Sequence, residues 1–142
     1  MCETEWDAIV DDAKRHRADR EKIAFDTTDV WENTRKLHRR FSHVFESPNT
    51  LYGEQGLEER LSHLCHDATV LDYGCSDGKS VTQYYEWGAK RIVGVDISEV
   101  SIAEARSKYG NLAEFHACDA QNLAMLEDSS VDVIFGRAIL HH

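Results

Sequence analysis

Two short apolar runs, each carrying an acid at or near its end, constrain the fold of this chain more than any other feature. Residues 70–78 read Val-Leu-Asp-Tyr-Gly-Cys-Ser-Asp-Gly, so an apolar stretch that reaches Asp72 opens into a glycine turn. Residues 91–96 read Arg-Ile-Val-Gly-Val-Asp and end in Asp96. A strand with a glycine turn, followed by a second strand with a terminal acid, is typical of α/β domains that bind nucleosides. The pattern predicts a nucleoside site where these strands end.

The turn after the first run has glycines at both ends, Gly74 and Gly78, with Cys75 and Ser76 between them. Glycines let the main chain approach a ligand closely. After a strand, such a turn is expected to present backbone N–H groups and a helix N-terminus to a ligand carboxylate or phosphate. The carboxylate of Asp96 can accept hydrogen bonds from the two ribose hydroxyls. We therefore expect the turn and this acid to form one site.

From residue 69 onward, strand-like and helix-like segments alternate, which predicts a parallel sheet wrapped by helices through right-handed crossovers. The strand-like runs are residues 69–73, 91–96, 112–117 and 131–136. Between the second and third runs, Ser98 is a suitable N-cap for a helix that Gly110 ends. The expected packing face of that helix consists of Val100, Ile102, Ala103 and Ala105. The fold class is therefore α/β with a Rossmann-like parallel sheet.

The part of the chain before residue 68 has helical rather than strand-like spacing of its apolar residues. One predicted helix runs from near Val30 to Phe45 and is broken by residues 47–49, and another follows Gly56. We therefore expect a helical N-terminal cap over residues 1–67 and an α/β domain over residues 68–142, incomplete at its C-terminus.

Composition narrows the class of partner. The chain has 142 residues, a formal net charge of -10 and no long apolar stretch, so we expect neither nucleic-acid binding nor membrane insertion. A basic group on one predicted helix is interpreted as a solvated face; it consists of Arg35, Lys36, Arg39 and Arg40. The four cysteines form no CxxC pair, which favours reduced thiols and a cytoplasmic protein. His63, Cys65 and His66 lack a second ligand pair, so no metal site is expected.

Taken together, these segments resemble the class I S-adenosylmethionine-dependent methyltransferases over about residues 68–142. Residues 70–78 resemble the first motif of that family, an acid-ended strand and a turn around the methionine part of the cofactor. Residues 94–98, Gly-Val-Asp-Ile-Ser, resemble the ribose-binding segment. The resemblance implies that Asp96 binds the ribose hydroxyls and that Ile97 lies against the adenine.

Two later segments complete the resemblance. Residues 118–121, Cys-Asp-Ala-Gln, resemble the adenine-recognition loop, in which the Asp119 carboxylate accepts from the adenine amino group and the backbone N–H of Ala120 donates to the ring. Residues 132–136 with Arg137 resemble the fourth motif, which lines the methionine end. The implied cofactor-binding set is Asp72, Gly74, Cys75, Ser76, Gly78, Asp96, Ile97, Asp119, Ala120 and Arg137.

The chain departs from the family pattern in two ways. Ser76 occupies the position of the middle glycine of the turn, where a small side chain can still fit. The family sheet has seven strands, whereas the last strand-like run here is residues 131–136. An uncovered strand edge is prone to association. We therefore expect either a fragment of a longer enzyme or an edge covered by a second chain, with a homodimer favoured.

The resemblance implies methyl transfer from S-adenosylmethionine to a small-molecule acceptor, with S-adenosylhomocysteine as product and without a metal. No catalytic residue is assigned, because His141 and His142 are interpreted as packing or loop residues. Three alternatives stay open: a cofactor-binding fragment that self-associates without catalysis, a nicotinamide-dependent dehydrogenase, and a serine hydrolase. The last arises because residues 74–78 also match G-x-S-x-G, with Ser76 as the nucleophile.

Overall fold

The structure, a computed structural model, describes residues 3–27, 30–119 and 122–137. Helices occupy the first part of the chain: α1 (Glu3–Thr27), α2 (Val30–Arg40), α3 (Ser42–Phe45) and α4 (Pro48–Cys65). Strands and helices then alternate: β1 (Thr69–Tyr73), α5 (Val81–Glu86), β2 (Arg91–Asp96), α6 (Glu99–Tyr109), β3 (Glu114–Ala117) and β4 (Val133–Phe135). Within these residues no helix is both long enough and apolar enough to span a bilayer.

The four strands form one parallel sheet in the order β3-β2-β1-β4. The chain first moves outward from β1 through β2 to β3, and then returns to place β4 on the other side of β1. Leu71 in the middle of β1 lies opposite Val93 of β2 and Ile134 of β4. The predicted α/β class with a Rossmann-like parallel sheet is confirmed, and the order reverses at β1.

The core lies on the two faces of the central strands. On one face, Val70 and Ile92 pack with Tyr84 of α5 and Ile102 of α6. On the other face, Leu71, Val93 and Val95 pack with apolar residues of the segment between β3 and β4. Each fully buried aliphatic side chain contributes roughly 1.5–3 kcal/mol. Burial on both faces explains why β1 and β2 are nearly continuous apolar runs.

Several predicted boundaries were wrong. The strand β3 starts at Glu114 rather than at residue 112, because the chain is still turning after α6 there. The strand β4 covers Val133–Phe135 rather than residues 131–136. In α6, Ile102 and Ala105 are buried as expected, but Val100 and Ala103 face solvent. The buried face of α6 is therefore narrower than its apolar sequence suggested.

The largest correction concerns α4. The helix starts at Pro48, not after Gly56, and Gly53 and Gly56 lie within it. The Ser47 hydroxyl accepts a hydrogen bond from the backbone N–H of Thr50 at 3.3 Å, so Ser47 caps the helix. A proline in the first turn costs nothing, because its missing N–H would have no helical partner there. Residues 47–49 were predicted to break a helix, whereas in the structure they begin one.

Candidate active site at the carboxyl edge of the sheet

The predicted site lies where the carboxyl ends of β1, β2 and β4 meet. Asp72 near the end of β1 pairs in register with Gly94 of β2 and with Phe135 of β4. Asp96 ends the neighbouring strand. In open α/β sheets, ligands bind outside the carboxyl ends of strands where the strand order reverses. The topology therefore puts both predicted carboxylates at the position where such a sheet binds its ligand.

Asp72 is a buried acid with spare hydrogen-bonding capacity. Asp72 is only 4% exposed, and its Oδ1 lies 3.5 Å from the Tyr84 hydroxyl. Its Oδ2 has no hydrogen-bond partner among the residues that the structure describes. Burial raises the pKa of this carboxyl from its ordinary value of 3.8 to about 7; the Tyr84 hydroxyl opposes that shift and the charge of Asp96 adds to it. A buried acceptor without a partner is costly and is stabilised by a ligand that brings a donor.

Asp96 has the opposite environment. Its Oδ2 accepts from the backbone N–H of Ser76 at 2.9 Å, and its Oδ1 accepts from the backbone N–H of Ser98, also at 2.9 Å. Its backbone carbonyl accepts from the N–H of Cys118 at 2.9 Å. The carboxylate is therefore held in one orientation between the glycine turn and the start of α6. Each oxygen keeps a second lone pair, which can accept from a sugar hydroxyl.

The glycine turn is tightly folded onto β2. Gly74, Ser76 and Gly78 all have positive φ, at 78°, 49° and 76°. The N–H groups of Gly74 and Cys75 both donate to the carbonyl of Val95, at 2.8 and 3.0 Å. The N–H of Ser76 donates to Asp96, and that of Gly78 to the Cys75 carbonyl at 3.0 Å. These four N–H groups of the turn therefore already have protein acceptors.

Two members of the predicted cofactor set face the core rather than the ligand side. The Cys75 side chain is buried, and a Cβ added at Gly94 would lie 2.9 Å from its sulfur, so Cys75 packs over that glycine. Burial raises the pKa of the Cys75 thiol, which keeps it neutral. A Cβ on Gly78 would lie 2.8 Å from the Ala105 Cβ and 2.9 Å from the Phe115 ring. Gly78 therefore lets the turn close against α6 and β3.

The remaining predicted residues are more scattered. Ile97 is half-buried beside Asp96, and Asp119 is exposed in the loop after β3, where its carbonyl accepts from the N–H of Asn122 at 2.8 Å. The Arg137 side chain is 81% exposed, and its Nη2 lies 3.5 Å from Glu54 Oε1 of α4. Ala120 lies outside the described residues, as do His141 and His142.

Sequence reasoning did not assign two residues that the structure places in this network. Tyr84 is buried beneath Asp72, and burial raises the pKa of its phenol. Ser98 is fully buried and links Asp96 to helix α1 through its hydroxyl. From the sequence, Ser98 was predicted as a helix cap at the end of the ribose-binding segment, without a contact to α1. A buried tyrosine hydroxyl needs a polar partner, and Asp72 is the acid whose position in the sheet provides one.

The edge is rich in hydrogen-bond acceptors and poor in unused donors. Among the described residues, Asp72 offers an oxygen without a partner and Asp96 offers its remaining lone pairs, whereas four N–H groups of the turn are bonded to protein. Such a site fits a ligand that brings ammonium and hydroxyl donors and positive charge. It fits a pyrophosphate poorly, because that group needs donors. In the described part of the chain, no group of three or more acidic, histidine or cysteine side chains is arranged to hold a metal.

Comparison with known proteins agrees with this geometry. Residues 70–142 match the family model described as "Methyltransferase domain". A "probable S-adenosylmethionine-dependent methyltransferase" of Mycolicibacterium smegmatis is 32% identical over 91 residues, which cover 59% of this chain and 32% of that protein. A ribosomal protein L11 methyltransferase of Clostridium botulinum is 36% identical over 73 residues, covering 51% of this chain and 21% of that protein.

A solved structure agrees at the level of the fold and family. The S-adenosylmethionine-dependent methyltransferase of Mesorhizobium loti superimposes with a TM-score of 0.53 at 25% identity, over 62% of this chain and 40% of that one. The present chain spans about a third of the length of the first curated relative and about a fifth of the second. The match to the family model begins at Val70 of β1, so it includes the glycine turn and both Asp72 and Asp96.

Proposed function

We propose a methyl-transfer function for this chain, which belongs to the class I S-adenosylmethionine-dependent methyltransferase family. The observation that carries the proposal is the pair of acids at the carboxyl edge, one buried without a partner and one held rigidly beside the glycine turn. The family's cofactor brings an ammonium group, a sulfonium and two ribose hydroxyls, which suit an acceptor-rich site.

The side chains have separate roles in this proposal. Asp96 accepts from the ribose hydroxyls, because its carboxylate is fixed by two backbone N–H groups. Asp72 binds the ammonium group, which supplies the donor that its Oδ2 lacks. When bound, S-adenosylmethionine would supply a methyl carbon activated by its positively charged sulfur, with S-adenosylhomocysteine as the leaving group and product. The protein then has chiefly to align the acceptor with the carbon–sulfur bond and to exclude water.

The acceptor proposed is a small molecule. The net charge of -10 disfavours a polyanionic acceptor such as RNA or DNA. One relative is named for a ribosomal protein as its acceptor, so protein acceptors belong in the test. We propose residues 68–142 as the cofactor-binding part and residues 1–67 as a helical cap beside it.

We also propose that a second chain, most simply another copy, covers the β4 side of the sheet. Within the described residues β4 pairs only with β1, and Ile134 of β4 is 66% exposed. An open edge with an exposed apolar side chain favours association. Sedimentation at several protein concentrations should show a dimer, and a monomer at every concentration would contradict the proposal.

The cofactor assignment is tested by calorimetric titration of the chain with S-adenosylhomocysteine. Substituting Asp96→Ala removes charge-assisted hydrogen bonds to the ribose, so we expect the affinity to fall by roughly 1.5–3 kcal/mol, or about 10–150-fold. Because Asp96 also holds the turn, Asp96→Asn serves as a second variant that keeps the size of the side chain and one acceptor oxygen, while its amide nitrogen faces one of the two backbone N–H groups. Circular dichroism checks that each variant keeps its fold, and a folded Asp96→Asn should still lose about tenfold in affinity, because the charge is removed.

The matched control is Asp128→Asn, which removes a carboxylate from an exposed position between β3 and β4. Its affinity should equal that of the unmodified chain. Equal affinity in a folded Asp96→Asn or Asp96→Ala variant would refute the ribose assignment. Tight binding of NADH in place of S-adenosylhomocysteine would refute the cofactor itself.

A further inference from the structure

Helix α1 docks onto the start of α6, immediately beside the proposed adenosine site. The Ser98 hydroxyl donates to the Asp26 carboxylate near the end of α1. The backbone N–H of Val100 lies 3.5 Å from the same Asp26 oxygen. Lys22, one helical turn earlier, donates to Glu99 at 2.6 Å. One turn of α1 therefore contacts polar groups of three consecutive residues, 98–100, where α6 begins.

The residue shared between α1 and the site is Ser98. Its backbone N–H donates to Asp96 Oδ1 at 2.9 Å, while its hydroxyl donates to Asp26 and accepts from the N–H of Ser101 at 3.1 Å. Ser98 is fully buried, so its hydroxyl has no access to bulk water. If the Asp26 carboxylate left, this hydroxyl would lose its acceptor, and an unmade buried hydrogen bond is costly. The position of α1 and the position of the Asp96 loop are therefore linked through one side chain.

We propose that Asp26 is a positioning residue: it fastens α1 against the start of α6 and thereby orders the Asp96 loop for the adenosine part of the cofactor. This inference rests on the proposed function. Asp26 acts through Ser98 and does not itself touch the ribose. The consequence is reciprocal, because two linked equilibria shift each other by the same factor. Docking of α1 strengthens cofactor binding, and the cofactor strengthens the docking of α1.

The experiment uses the full chain and two readouts, calorimetric affinity for S-adenosylhomocysteine and amide hydrogen exchange of α1 with and without that ligand. In the unmodified chain, the ligand should slow exchange in the second half of α1. In Asp26→Ala, exchange there should be faster and respond less to the ligand, and affinity should fall about fivefold, the lower end of typical site-to-site coupling. Asp26→Asn, which keeps an acceptor oxygen for Ser98, should restore most of the affinity.

The matched control is Asp12→Ala, which removes an exposed carboxylate of the same helix that forms an ion pair with His16 at 3.5 Å. It should leave affinity and the ligand response of α1 unchanged. Unaltered affinity and exchange in Asp26→Ala would overturn the role of Asp26 while leaving the proposed function intact. A fall in thermal stability with unchanged affinity would also overturn it, since that result marks a purely structural contact. Failure of the unmodified chain to bind the ligand would refute the proposed function, and the coupling with it.

Discussion

The sheet and the helices that precede it differ in how far their apolar side chains are buried. The buried core consists of residues between Cys65 and Phe115, centred on β1, β2, α5 and α6. In the helices α2, α3 and α4, many of the large apolar side chains that the structure describes are exposed, and so is Phe41 between α2 and α3. Those within the helices are Leu37, Val44, Leu51, Tyr52, Leu57 and Leu64. Burial of apolar surface is the main stabilising contribution in folding. The sheet therefore holds the fold together, whereas the helical segment carries surface available for contacts.

The same contrast applies to single residues. The glycine at position 78 is needed because the core around it is full, while Gly53 in α4 has no other atom near its missing Cβ. Adding a methyl group at each glycine should therefore have opposite effects on stability: it should destabilise the region around Gly78 and stabilise α4.

The first substitution is Gly78→Ala. An added Cβ would lie 2.8 Å from the Ala105 Cβ and 2.9 Å from the Phe115 ring, and the φ of 76° disfavours any side chain. Overpacking and left-handed backbone together should destabilise the fold by about 2–5 kcal/mol. Urea unfolding followed by far-UV circular dichroism measures the loss.

Gly88→Ala separates the two causes. Its φ is also positive, at 81°, but the three atoms nearest to its added Cβ belong to the exposed His66 ring, the first at 3.2 Å. The free energy of unfolding of Gly88→Ala should fall by about 1–2 kcal/mol, which is the cost of the left-handed backbone conformation alone. Equal losses at positions 78 and 88 would show that the packing around Gly78 is looser than the structure indicates.

The second prediction concerns the one acid in the sheet core. The folded-state pKa of Asp72 is about 7 against an ordinary value of 3.8. Between those values the folded chain holds a proton that the unfolded chain has released, so stability falls as pH rises through this range. Substituting Asp72→Asn removes the ionisation. The variant should be more stable than the unmodified chain by about 2–3 kcal/mol at pH 8, with a gap that narrows toward pH 5.

Stability and ligand binding should change in opposite directions in this variant. Asp72→Asn cannot carry the charge that binds an ammonium group, so its affinity for S-adenosylhomocysteine should fall although the protein is more stable. Chemical unfolding at pH 8 and pH 5, with Asp128→Asn as the exposed control, provides the measurement. A stability gap that does not vary with pH would contradict the raised pKa.

The sequence predicted the sheet well, because both central strands are buried on both faces and must read as apolar runs. It also found the acids at the ends of β1 and β2. It could not distinguish them. Among the described residues, Asp72 has only the Tyr84 hydroxyl as a partner, whereas Asp96 binds the nearby N–H of Ser98 and also the N–H of Ser76, which lies 20 positions earlier. Hydrogen bonds between distant segments follow from the three-dimensional fold and leave no local pattern.

The helical segment was harder to predict for a related physical reason. Its boundaries depend on caps and turns rather than on burial, so Pro48 was interpreted as the end of a helix when it begins one. The contact of Asp26 with Ser98 joins residues 72 positions apart, and no periodicity indicates it. Where packing contributes little, the apolar spacing alone does not fix element limits.

The smallest predicted effect is the most direct test of the contrast between the regions. Gly53 lies inside α4 with no atom within 4 Å of an added Cβ, so Gly53→Ala should stabilise the helix by about 0.5–1 kcal/mol. If the helices and the sheet unfold as one unit, the whole unfolding transition moves to higher urea. If α4 unfolds first, only an early phase moves, and the transition of the sheet stays where it was. Hydrogen exchange on β1 amides in the same variant distinguishes these results, because their protection rises only when the helix and the sheet share one transition.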